Sequence, residues 1–291
     1  MAVYERNYGR YQGELTPPWS RFLILPRYAA KDVFDSRLFV AFYALCFLVP
    51  FAGLLMIYLH HNIAALKFIE LPLAELKEEL PINATFFRHG IEFQSWLCFL
   101  MALFVGPALV APDLRNNGLP LYLSRPFSRT EYVLGKMAVL VVLMSLVTWI
   151  PGLLLFLFQG YLEGAGWLGN ILRIGAAILA GSWAWILVVS LVALAISAWV
   201  KWKPVARVSL LIVFFVLTGF AHALNMALDT WWGHLLSLSN AMNKLWFSLF
   251  GQEADERLAQ PLWAAWLTII AGCALALWLL SRRVRAYEVV R

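Results

Sequence analysis

"DLRNNGLPLYLSRPFSRTEYVLGK", residues 113–136, separates an apolar run that closes on "GPALVAP" from another that opens on "MAVLVVLMSLVTWI". Four basic residues, Arg115, Arg125, Arg129 and Lys136, fall inside it, yet much of the remainder is apolar. Pro120 and Pro126 forbid a continuous helix, because proline removes an amide donor and clashes with the preceding turn. Leu119, Tyr122 and Phe127 among the arginines predict a short helix or turn that offers an apolar knob ringed by positive charge. A partner protein with a complementary groove would fit it. Ser128 reads as the N-cap of the next helix, with Glu131 three residues on completing a capping box. That helix continues through Gly135 and Lys136 into the following apolar run.

Working outward, the chain of 291 residues is 62% hydrophobic and only 14% charged, where a soluble domain carries roughly 25% charged residues. Mean hydropathy is +0.73. A soluble core of this size could not absorb so much apolar surface, so the class is integral membrane protein. A bilayer core about 30 Å thick takes roughly 20 apolar residues as helix, because lipid offers backbone amides no partners. Six stretches qualify, at about 38–59, 93–111, 137–157, 174–200, 208–228 and 261–280, and none contains Asp, Glu, Lys or Arg. The expected fold is all-α, with six transmembrane helices. Residues 1–37 form a lead-in, 38–281 one membrane domain and 282–291 a basic tail.

Orientation follows from Lys and Arg, which resist translocation. Six lie in the N-terminal segment, four in 113–136, three in "KWKPVAR" and four in the tail, against six in all the remaining connections. The basic side is therefore expected to be cytoplasmic, with both termini and the 113–136 loop on it. The net charge of +6 then belongs to the inner membrane surface and its anionic lipid headgroups, and calls for no nucleic acid. The first 21 residues hold no apolar signal region, so the first span itself is expected to direct insertion. Cys46, Cys98 and Cys273 all fall in spans and read as small packing residues.

From Pro26 to Arg37 the pattern becomes helical and two-faced, with Arg27, Lys31 and Asp35 opposite Ala29, Ala30, Val33 and Phe34. Too short and charged to cross a bilayer, it predicts an amphipathic helix along the cytoplasmic interface. On the outer side, residues 60–92 and 229–260 predict helices that rest on the membrane surface or dip shallowly into it, the second anchored by Trp231, Trp232 and Trp246. Pro107 and Pro151 mark expected bends. Gly175 and Gly181, with Ala176, Ala177 and Ala180, give the fourth span a small-residue face for close packing.

Motifs for chemistry are missing from the sequence. It contains no Walker A phosphate loop, no H-E-x-x-H and no serine nucleophile elbow, and no acid–base pair falls within the six apolar stretches. Catalysis by this chain, and a resident metal or cofactor, are not expected. His60, His61 and His89 read as boundary residues rather than metal ligands, since adjacent histidines on a helix point apart. His222 and Asn225, three residues apart in the fifth span, read either as the lining of a transport path or as an interhelical hydrogen bond.

Taken together, Asp113, Arg115, Gly118, Leu119, Leu121, Leu123, Pro126, Ser128, Arg129, Glu131, Gly135 and Lys136 resemble the loop between spans two and three of ABC-2-type transporter permeases. The six spans, cytoplasmic ends and amphipathic lead-in are similar to that family too, although Asp113 and Leu119 stand where Glu and Thr are usual. The resemblance implies that the loop contains a coupling helix, with Leu119, Leu121, Tyr122, Leu123, Arg125, Pro126, Phe127, Ser128, Arg129, Glu131, Gly135 and Lys136 facing or positioning a separate nucleotide-binding ABC ATPase. ATP and Mg would then be bound by that partner. A second permease, identical or homologous, would complete an exporter in the cytoplasmic (inner) membrane. The alternative is a non-transporting membrane scaffold or assembly subunit that anchors partner proteins through the same loops.

Overall fold

The computed structural model describes residues 24–62, 81–116, 128–254 and 258–284, the side chains of residues 24 and 165–171 excepted. The heart of the 113–136 loop and the helix expected near 66–80 lie outside these residues. All regular structure among the described residues is helical. Among the described residues six helices are long and apolar enough to cross a membrane: Arg37–His61, Ala84–Arg115, Arg129–Glu163, Leu172–Trp199, Lys203–Leu228 and Leu262–Arg283, here spans 1 to 6. The architecture is that of an all-helical integral membrane protein.

Span 4 is the axle of the bundle and the most enclosed of the six. It packs against spans 2, 3 and 6 and contributes Ile186, Val188, Val189 and Leu194 to one continuous apolar core. Its small residues explain how neighbours come so close. A Cβ added at Gly181 would sit 2.8 Å from Trp246, and one at Gly175 would sit 3.1 Å from Phe156. Gly175, Ala177 and Gly181 make this buried seam, whereas Ala176 and Ala180 face outward. Span 1 is the least enclosed and presents most of its surface to the surroundings.

Each irregularity in the spans has a local cause. Pro50 has no amide proton for the carbonyl of Cys46, and span 1 breaks there into helices Arg37–Leu45 and Leu48–His61. Pro107 likewise frees the carbonyl of Leu103, which accepts a hydrogen bond from Arg207 Nε of span 5 at 3.1 Å, so span 2 runs on to Leu109. Span 3 breaks at Thr148, three residues before Pro151, and the Thr148 hydroxyl donates to the Met144 carbonyl at 2.8 Å. The bend expected at Pro151 is thus a break at Thr148, whereas the helix runs through Pro107 with its freed carbonyl bridged. Span 5 contains a π turn, Ile212–Val216, whose Phe214 carbonyl accepts the hydroxyls of Thr218 at 2.6 Å and Ser239 at 3.1 Å.

The connection between spans 5 and 6 departs from the surface placement expected for it. Helix Leu238–Leu249 buries Leu238, Asn240, Ala241, Met242, Leu245 and Trp246 and packs between spans 4 and 6. Trp246 reaches Trp185, with ring centroids 5.6 Å apart. Trp185 lies thirteen residues into span 4, about 20 Å along it at 1.5 Å per residue. The helix is thus inserted deep into the bundle. Both its ends are closed: the Ser237 side chain accepts the Asn240 amide at 3.1 Å, and Arg173 of span 4 donates to the carbonyls of Ser248 and Leu249 at 2.8 and 3.1 Å. A cation on orphan C-terminal carbonyls is favourable on charge grounds as well.

Helix Ile24–Phe34 turns its Leu25, Ala29 and Val33 toward the core while Arg27, Lys31 and Asp32 are exposed. It packs on the beginning of span 3. Ser36 then caps span 1, accepting the Phe39 amide at 3.4 Å.

Candidate functional site: the stems of the basic loop

Span 2 ends in a kink at Val110 followed by the short helix Ala111–Arg115. Ser197 of span 4 holds the kink by accepting the amides of Val110 and Ala111 at 3.2 and 3.0 Å. This fixes Asp113 facing the first turns of span 3. There Tyr132 and Lys136, one helical turn apart, both reach it. Lys136 Nζ lies 2.8 Å from Asp113 Oδ2, and the Tyr132 hydroxyl donates to the same oxygen at 2.8 Å. Lys136 also sits over the Tyr132 ring, 5.7 Å from its centroid. Tyr132 is fully buried and the Lys136 side chain is 9% exposed, against 17% for Asp113.

The consequence is mechanical. Residues 113 and 136 bound the basic loop, and an ion pair plus a hydrogen bond tie its two stems together. A charge pair this enclosed is held far more firmly than an exposed one, because removing either partner strands the other away from water. The end of span 2 is therefore tied directly to the start of span 3.

Outside the clamp, the start of span 3 is capped as the sequence predicts. The Ser128 side chain accepts the Glu131 amide at 3.1 Å, and Glu131 Oε2 accepts the Ser128 amide at 2.6 Å. Arg129 is exposed beside it and Gly135 is buried. So Ser128, Arg129, Glu131, Gly135 and Lys136 fall on two consecutive turns of one helix. Leu119, Leu121, Tyr122, Leu123, Arg125, Pro126 and Phe127 lie outside the described residues. Next to the clamp is a cavity of about 480 Å³ lined by helix Ile24–Phe34, the end of span 2 and the start of span 5, with Asp32, Lys203 and Arg207 on its walls.

The opposite end of the bundle is more polar than the sequence indicates. Arg88, nearly buried in the first turns of span 2, donates to Glu92 at 2.8 Å and to Gln252 at 2.6 Å. It also lies over the Phe247 ring at 4.2 Å. The helix starts at Ala84, well before the uncharged stretch, which is how a charge pair enters it. His222 and Asn225 share the wall of a 760 Å³ recess with His234 and Asp229. Asn225 Oδ1 accepts the Gly233 amide at 2.7 Å, and the amide of Asn240 lies 2.9 Å from His234 and 3.4 Å from His222. Asn225 thus ties span 5 to the turn that follows it. Among the described residues no three His, Cys, Asp or Glu side chains come together to hold a metal. His61 instead faces Ile57 and Glu163.

Sequence reasoning missed Tyr132, Ser197 and the pairing of Asp113 with Lys136. Tyr132 alone carried a signal: it stands four residues before Lys136, on the same face of a helix. No protein-family model matches the chain, and no curated protein sequence matches it.

Proposed function

We propose that this chain is the membrane-embedded permease subunit of an ATP-driven transporter of the ABC-2 type. The single observation that carries the reading is the buried Asp113–Lys136 pair, reinforced by Tyr132, which closes the base of the basic, apolar loop between spans 2 and 3. In a loop that only joined two helices, a buried ionic clamp at the stems would add stability and no more. In a loop pushed by another protein, the clamp would also turn a local push into joint movement of two helices. Arg115 and Arg129, exposed on the two stems, flank the basic, apolar stretch that a nucleotide-binding subunit would grip, and ATP and Mg would reside on that subunit. On this reading the loop, both termini and Lys203–Arg207 face the cytoplasm, helix Ile24–Phe34 lies along the inner interface of the cytoplasmic membrane, and a second permease completes the path.

The test is to replace Leu121, Tyr122 and Leu123 together by Asp in the full chain, co-purified with its ATPase. ATPase stimulation should be lost while the spans keep their thermal stability. Undiminished stimulation overturns the proposal.

A further inference from the structure

Spans 1, 2 and 3 line a third cavity, of about 550 Å³, in the half of the bundle remote from the basic loop. Its volume lies within the roughly 300–1,000 Å³ typical of small-molecule sites. Pro50 opens it by breaking span 1, and Gly53, Gly90 and Gly152 widen it; a Cβ added at Gly90 would meet nothing within 4 Å. Met56, Phe86, Ile91 and Leu155 make its walls largely apolar, and among the described residues no Asp, Glu, Lys or Arg lines it.

Four lining residues are polar. Asn83 accepts the amides of Thr85 and Phe86, Thr85 accepts from Gln252, and His89 meets Arg88, so these three are bonded at the start of span 2; the fourth is not. Gln94 is only 3% exposed, faces the cavity, and has no hydrogen-bond partner among the described residues. Other buried polar side chains of span 2 are bonded: Ser95 donates to the Ile91 carbonyl at 2.7 Å, and Arg88 has its partners described above. A buried amide left unbonded costs about 1–3 kcal/mol, and polar groups inside membrane spans mark functional positions. None of the described lining residues is a Lys or Arg that could hold a phosphate, so the cavity does not suit a phospholipid headgroup.

We propose that this cavity binds a neutral amphipathic molecule, an apolar body with one hydroxyl or carbonyl group that hydrogen-bonds to Gln94. The absence of Asp, Glu, Lys and Arg from the described lining selects neutrality, and the amide, with donors and an acceptor, takes either polar group. The inference does not depend on the coupling loop, so it stands or falls apart from the transport reading.

The experiment uses the full chain in phosphatidylcholine nanodiscs and two photoreactive probes: a long-chain fatty alcohol carrying a mid-chain diazirine, and a phosphatidylcholine carrying the same diazirine on one acyl chain. Adducts are mapped by mass spectrometry. The alcohol should label Met56, Phe86 or Leu155 and be competed by unlabelled alcohol. Gln94→Leu should lower its apparent affinity three- to tenfold, the worth of one neutral hydrogen bond, while leaving the thermal midpoint of the protein unchanged or raised. Gly90→Phe, which fills the cavity, should abolish labelling at these residues. Equal labelling by the phosphatidylcholine probe, indifference to Gln94→Leu, or no adducts on the cavity walls would each overturn the proposal.

Discussion

The clamp at the base of the basic loop makes a quantitative prediction. In Asp113→Asn the Tyr132 hydroxyl keeps an acceptor, but the Lys136 ammonium, 9% exposed, loses its counter-ion. Breaking a fully buried pair costs about 3–5 kcal/mol, and an exposed pair is worth under about 1 kcal/mol. Asp113 retains some access to water, which places the expected loss near 2 kcal/mol, between those limits. Lys136→Met should cost less, roughly 1 kcal/mol, because Asp113 keeps both Tyr132 and water. The double variant should be less destabilised than the two single losses combined, with a coupling of about 1 kcal/mol or more. Cys46 and Cys98 are buried and Cys273 is half-buried, so a thiol-reactive dye reports unfolding without any engineered label. A loss of 2 kcal/mol corresponds to a midpoint drop of roughly 4–8 °C at this chain size. Strictly additive single effects, or a milder loss for Asp113→Asn than for Lys136→Met, would refute the clamp.

Other outcomes follow from the same packing. Gly181→Ala should destabilise by about 1–3 kcal/mol, the usual cost of overpacking, because the new methyl meets Trp246 at 2.8 Å; Gly90→Ala, with open space at its Cβ, should be neutral or stabilising. If the two midpoints moved alike, the tight seam on span 4 would be wrong. Ser128→Ala should loosen the first turn of span 3 by about 1 kcal/mol, read as roughly fivefold faster hydrogen exchange at the Glu131 amide; unchanged exchange would count against the capping box. In a cysteine-free background, Lys201→Cys should react with an impermeant maleimide only in inside-out vesicles and Tyr161→Cys only in right-side-out ones. The reverse pattern would invert the proposed topology.

How legible each part was depends on how local its cause is. The six spans are written in the sequence because lipid forces every crossing helix to be apolar for its whole length. The Ser128–Glu131 box is legible because its partners are three residues apart. The Thr148 break and the free Leu103 carbonyl follow from Pro151 and Pro107, but that Arg207 satisfies the latter could not be read across 104 residues. Helix Leu238–Leu249 looked like a surface element because of Asn240 and Lys244. Their polarity is spent inside: Asn240 meets two histidines, and Lys244 donates to the Leu258 carbonyl at 3.0 Å. The π turn of span 5 has no local signature, since one of its supporting hydroxyls, Ser239, comes from the inserted helix. The clamp was half visible. Asp113 and Lys136 stood out as motif positions, but their contact depends on the Ser197 bonds that aim the end of span 2.

The central claim, that residues 113–136 are gripped by a nucleotide-driven subunit, is tested most directly by placing a photo-crosslinking amino acid at position 122 and irradiating intact cells. The account predicts one dominant adduct, with a protein that carries a Walker A phosphate loop. An adduct confined to proteins outside the cytoplasm, or none with any nucleotide-binding protein, would contradict it.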